Sequence, residues 1–311
     1  MSAVQPTPAT LAVLAADPAA KHRHRSNLEF AARRFFRQKL AVFGLALTLA
    51  LTFIAVFAPL LAPTRYDEAD LLSSNEFPSR QHLFGTDTIG HDELSRIVYA
   101  IRTSFTVSFS AVLIACLIGL PLGMAAGLRG GLTDFLVLRL VEVMTAFPGI
   151  LFAIFLISVV NSGFLSGFFR SQVFNVTFVI GVTSWVTLAR LMRAQVLSLR
   201  EREYIEAARS IGASEREIAM RHLLPNAIPP MIVAITLAIP AAIFAEAGLS
   251  FLGLGINEPI PSLGKMVADS REYIQLYWYL GFFPAMAIAL AVLGFAFTGD
   301  GLRDALDPRQ N

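Results

Sequence analysis

The chain is expected to be an all-α integral membrane protein with six transmembrane helices. Three observations carry this: 55% of its 311 residues are hydrophobic, only 15% are charged, and the apolar residues fall in long unbroken blocks. A soluble domain carries about 25% charged residues, and a helix needs roughly 20 apolar residues to cross the hydrocarbon core. Mean hydropathy is +0.61. Blocks 40–64, 103–128, 143–169, 171–189, 227–245 and 273–299 contain no Asp, Glu, Lys or Arg, and the third is expected to begin near Phe135, taking Arg139 and Glu142 with it.

Residues 1–27 are rich in Ala, Pro and Thr, with Pro6, Pro8 and Pro18, and are expected to form a mobile arm. The basic cluster beyond it precedes a block too long for the h-region of a cleavable signal. Residues 28–64 therefore keep that block as the first crossing.

The next segment, 65–102, is too long for a simple turn. Its stretch from Gly85 to Glu93 reads as a Gly-rich turn running into a short amphipathic helix, Leu94 to Tyr99. His82, Asp87, His91, Asp92 and Glu93 bring imidazole and carboxylate to short spacing, which a divalent ion can use. No helical HxxxH pair accompanies them, so the stretch reads as a solvated turn with acidic residues at a helix start, and no metal site is assigned.

A five-helix core is expected over 103–300, with a polar insert at 193–226 and a tail at 301–311. Pro121, Pro148, Pro240 and Pro284 fall inside four of the blocks, where proline bends a helix. Gly119, Gly123, Ala126 and Gly127 allow close helix contact. Charges at membrane depth are candidate functional groups. Arg139 and Glu142, three apart, read as a local ion pair; Glu246, near the end of the fifth helix, touches the pathway, an outside partner or interfacial water.

Lys and Arg asymmetry orients the bundle. The N-terminal cluster (Lys21, Arg23, Arg25, Arg33, Arg34, Arg37, Lys39) and the insert cluster (Arg190, Arg193, Arg200, Arg202, Arg209, Arg216, Arg221) fall on one side, the cytoplasm, with both termini. The loops left outside hold seven of the 25 basic residues. The arginines thus serve topology, and a net charge of +2 gives no case for nucleic acid. A single cysteine, Cys116, excludes an intrachain disulfide and a Cys-rich metal site.

Within the insert, Arg200 to Ser210 is made of good helix formers, and Gly212 stands where a helix ends in the left-handed conformation. Ser214-Glu215-Arg216-Glu217 fits a capping box opening a second short helix, which is expected to stop near Leu224 because Pro225 follows. Ala207 and Ala208 present so little side chain that another protein can approach the backbone closely, with Glu206 at the edge of that contact.

Glu206-Ala207-Ala208, then Gly212, then His222-Leu223-Leu224-Pro225-Asn226 resembles the EAA motif of the inner-membrane permeases of ABC importers. The general motif has an aliphatic residue where His222 stands; His before Leu-Leu-Pro-Asn is similar to the peptide and nickel branch. His82 to Asp87, Gly90-His91-Asp92, Ser95-Arg96, Arg139 to Glu142, Phe147-Pro148 and Leu249 to Gly255 are similar as well, although the family often has Arg at the place of His91. The resemblance covers about residues 38–308 and is nearest to the C-type member of the dipeptide or oligopeptide pair.

The resemblance implies a type I ABC importer permease fold in a bacterial plasma membrane. The chain would form half of the pathway, beside a second homologous permease. Two ATP-binding subunits would dock on the insert through Tyr204, Glu206, Ala207, Ala208, Gly212, Ser214, His222, Leu224 and Pro225. An extracytoplasmic binding protein would deliver a peptide. ATP and magnesium would belong to the partner subunits, since the chain has no GxxxxGK[ST] loop. The same machine carrying nickel or another small solute is the alternative. A membrane enzyme or stand-alone carrier fits less well: the apolar blocks contain no His, and a carrier leaves the insert without a purpose.

Overall fold

The computed structural model describes residues 27–161 and 171–306. The arm expected before Asn27, the end of the third apolar block and the last five residues lie outside them. Among the described residues regular structure is helical, with only isolated bridges at Ala69–His91 and Thr86–Asp92.

Helix α1 (Asn27–Arg37) is amphipathic and sets Phe35 against Ala41 and Ala305. Gln38 is extended, breaks the chain before α2 (Lys39–Val56), and donates from Nε2 to Asp304. Proline in its first turn starts the one-turn α3 (Ala58–Leu61). Helix α4 (Glu93–Arg129) is continuous through both the expected short helix 94–99 and the second apolar block. The expected boundary at 102/103 therefore falls inside a helix. Asp92 caps its start, accepting from the Ser95 amide at 2.8 Å, and nothing between Tyr99 and Thr103 interrupts the ladder.

Helices α5 (Gly131–Thr145) and α6 (Gly149–Asn161) are bent 90° apart at residues 146–148. The expected straight third helix is thus a broken one, because Pro148 has no amide to continue the first segment. Helix α7 (Gln172–Arg200) outruns its apolar block by three turns. It runs parallel to α4 along a seam of small residues: a Cβ on Gly119 would lie 2.6 Å from the Trp185 carbonyl oxygen, and one on Gly123 2.4 Å from that of Ala189. With lipid on the outside, such close backbone contact replaces the hydrophobic drive available in water.

The insert holds α8 (Glu203–Ser210) and the single turn α9 (Glu215–Glu217), which passes through a π-helical turn (Ile218–Leu223) into α10 (Leu224–Phe251). The second insert helix therefore does not stop before Pro225. Wide π geometry accommodates the missing proline amide, and the Asn226 side-chain amide donates to the His222 carbonyl. The chain then forms the short α11 (Leu263–Ser270) and the last span, α12 (Tyr279–Leu306). Residues 301–306, expected in the tail, continue that helix. Among the described residues, five helices are long and apolar enough to cross a membrane, and the α5/α6 pair makes a sixth crossing if counted as one.

Candidate coupling site

Helix α8 ends in a Schellman motif. The Gly212 amide donates to Arg209 O (2.9 Å) and the Ala213 amide to Ala208 O (3.0 Å), with Gly212 at φ +87°. Ser214 then caps α9, its Oγ accepting from the Glu217 amide at 3.2 Å. Only half of the expected capping box forms, because the Glu217 carboxylate pairs with Arg221 instead. Arg209 bridges the elbow to Glu215 at 3.1 Å.

The two alanines have different roles. Ala207 is exposed, whereas Ala208 is 7% exposed and packs with Ile205, Ile218, Leu223, Met192 and Val196. Sequence spacing placed both on the docking face; the pitch of α8 puts Ala208 one residue around, facing the protein. Tyr204, Glu206, Gly212, Ser214 and Pro225 are exposed. Leu224 packs on the buried cluster, and the His222 ring lies 6.3 Å from that of Tyr204.

Two apolar residues of the insert that were missed in the sequence are exposed as well. Ile211 is 87% exposed and Met220 59%. Both were hidden by their neighbours: Ile211 reads as the end of a helix before glycine, and Met220 as one more apolar residue in a buried turn. The π-helical winding brings Met220 outward while Ile218, Ala219 and Leu223 stay buried.

The insert rests on arginines that had read as topology charges. Arg193 pairs with Asp134, Arg200 donates to the Gly127 carbonyl at 3.0 Å, and Arg190 reaches Thr145 Oγ1 at 3.2 Å. Through these contacts α7 is tied to α4 and α5. Arg139 and Glu142 form the expected local pair at 2.8 Å, both well exposed.

At the opposite end of the bundle, Glu246 is fully buried, so interfacial water is not its partner. Its carboxylate accepts from Ser104 (2.8 Å), Ser250 (2.9 Å) and Ser262 (2.7 Å), joining α4, α10 and the lead into α11. The 65–92 segment packs over the same end. Instead of the solvated turn expected there, His91, Asp92, Glu93 and Arg96 are buried. His82 Nδ1 lies 3.0 Å from Asp92 Oδ1, and Asp87 holds both His91 and Arg96 at 2.7 Å. Tyr279 donates its hydroxyl to Thr86 O at 3.0 Å, and Phe84 stacks on Phe283. Outside the spans, Arg65 holds the Asp67 carboxyl below the usual carboxylate range through a two-pronged pair.

Known proteins resemble the chain over most of its length. Residues 119–311 match the model of binding-protein-dependent transport system inner membrane components, and residues 26–78 that of the N-terminal transmembrane domain of oligopeptide transport permease C. A dipeptide transport system permease protein, DppC, of Alkalihalophilus pseudofirmus is 41% identical over 273 residues, 88% of this chain and 87% of the relative. An oligopeptide permease protein, OppC, of Bacillus subtilis is 37% identical over 276 residues, 89% and 88% of the two chains. A glutathione permease protein, GsiD, of Shigella flexneri is 41% identical over 280 residues, 89% of each chain. Among solved structures, an inward-facing MetNI methionine ABC transporter chain aligns with a TM-score of 0.55 at 20% identity, over 68% of this chain and 96% of that one.

Proposed function

The chain belongs to the family of binding-protein-dependent transport system inner membrane components, and from that premise we propose that it is the C-type permease of an ATP-driven peptide importer. Family members work with ATP-binding subunits, a substrate-binding protein and a second permease. In this reading the chain supplies half of the pathway in a bacterial inner membrane, with both termini in the cytoplasm. It is not an enzyme: ATP and magnesium are held by two partner ATPases, and the chain couples to their cycle.

One observation carries the coupling role. The insert exposes Tyr204, Ala207, Ile211 and Met220, while its Ile205, Ala208, Ile218 and Leu223 are packed into the protein. An apolar face on an otherwise charged projection calls for a protein partner, and a packed base makes the projection move as a unit with α7 and α10. ATP-driven closure of the ATPases would draw the inserts together, and α7 would pass that displacement to α4 and α5. Nucleotide and substrate then bias one two-state element, reciprocally.

Affinity purification of the tagged chain from its native membrane in mild detergent tests this. A second permease and ATPase subunits should accompany the chain, and Ala207→Glu should lose the ATPases while retaining the permease. Recovery of the chain alone, or of ATPases with the variant, would remove the coupling assignment.

A further inference from the structure

At the end of the bundle assigned to the outside, the 65–92 segment, the start of α4, the turn at 258–259 and α11 line a half-open cavity of about 570 Å³. Among the described residues six carboxylates line it, those of Asp67, Asp87, Glu93, Glu258, Asp269 and Glu272, against one lysine or arginine, Arg96. Four of the six are already engaged: Asp67 with Arg65, Asp87 and Glu258 with Arg96, and Asp269 with Lys265.

Glu93 is not engaged. It is 2% exposed, and no hydrogen bond to its side chain occurs among the described residues; Arg96 acts on it only at longer range, its two Nη atoms being committed to Asp87, His91 and Glu258. Burial without a donor favours the neutral acid, and the group ionises only when a cationic donor reaches it, so a carboxyl placed this way in a cavity wall suits a ligand that donates. Glu272 adds to the same wall a second carboxylate for which no ion pair occurs among the described residues.

The chemistry of the wall selects a cation. A metal ion fits poorly, because no three of the described His, Cys, Asp and Glu side chains converge closely enough to hold one. An ammonium group carries one charge and three donors, and it can bridge carboxylates that are too far apart to share a metal. Volume decides what carries the ammonium. The cavity falls in the range of about 300–1,000 Å³ typical for small ligands, and a single lysine reaching in from a docked protein would leave most of it empty.

We propose that this cavity is a receiving site for the free amino terminus of a short peptide, with Glu93 as the group that accepts from its ammonium. The proposal rests on the peptide-importer reading. It places a first recognition of substrate on the permease itself.

The test uses the full chain in phosphatidylglycerol-containing nanodiscs and calorimetric titration with dialanine, N-acetyl-dialanine and NiCl₂ alone. Dialanine should bind, and both acetylation of the ligand and Glu93→Gln should weaken binding at least tenfold. Equal affinity for the acetylated ligand, no binding of dialanine, or saturable nickel binding that Glu93→Gln abolishes would each overturn it. The ligand comparison on the unaltered chain decides even if the variant folds poorly. Capture of ATPases by the same preparation keeps a failure of this site distinct from a failure of the importer assignment.

Discussion

Arg193 grips Asp134 with two parallel hydrogen bonds, Nε to Oδ1 at 2.5 Å and Nη2 to Oδ2 at 2.6 Å, joining the last third of α7 to the first turn of α5. Helix α7 leads directly into the insert, and α5 is the first arm of the bent pair. The fork therefore ties the helix that leads into the insert to the bent α5/α6 pair.

Replacing that link should separate docking from transport. Arg193→Ala should leave ATPase capture intact, reduce peptide uptake in proteoliposomes severalfold, and lower stability by about 1–3 kcal/mol, the range for a charge-assisted bond. Arg193→Lys should recover only part of the uptake, because an ammonium cannot make both bonds in parallel. Full uptake by Arg193→Ala would show that α7 and α5 need no fixed connection.

The exposed and buried halves of the insert should fail differently. Ile211→Asp and Met220→Asp put charge on the outward surface and should abolish ATPase capture without lowering thermal stability. Ala208→Leu overpacks the inward face and should cost about 1–3 kcal/mol. Thermal unfolding beside co-purification reads both, and normal ATPase capture by Ile211→Asp and Met220→Asp would move the docking surface elsewhere.

Gly212 offers a graded series. No atom lies within 4 Å of the position a Cβ would take, so Gly212→Ala meets only the backbone cost of φ +87°, about 1–2 kcal/mol. Gly212→Pro also removes the amide that donates to Arg209 O and forbids positive φ, so transport should be lost while membrane insertion persists. Ser214→Ala should cost about 1 kcal/mol and show as faster hydrogen exchange in the turn 215–217. Equal uptake by the alanine and proline variants of Gly212 would show that the elbow geometry is irrelevant.

What the sequence yielded follows from which forces are local. Apolar blocks announced the spans, and the αL glycine and the Ser214 cap announced the elbow, because each depends on residues a few positions apart. Side-chain facing was less legible: Ala207 and Ala208 are chemically identical, and only the cluster around Ile205 and Leu223 separates them. The polar network around His91 and Arg96 was illegible for a different reason. Its closure depends on Glu258, 162 residues further along, and on a hydroxyl from Tyr279, 193 residues from Thr86. No spacing rule connects them, so polar residues in a long loop read as solvated when the fold had buried them.

Glu246 gives the sharpest case of a charge whose role only the fold defines. Its two oxygens accept three serine hydroxyls, and one of those serines, Ser250, also accepts from the Ile256 amide at 3.1 Å, so the carboxylate organises the chain as it leaves α10. Glu246→Ala strips three buried hydroxyls of their acceptor and opens a void beside them; at about 1 kcal/mol or more for each unsatisfied group, a loss of about 3 kcal/mol is expected. Glu246→Gln keeps the shape and one acceptor oxygen, and a serine hydroxyl can rotate to accept from the new amide. It should therefore cost far less, with hydrogen exchange over 252–262 rising strongly in the alanine variant and little in the glutamine one. If Gln proves as damaging as Ala in transport while exchange stays protected, the negative charge itself serves the transport cycle, and Glu246 is a pathway group and not a fastener.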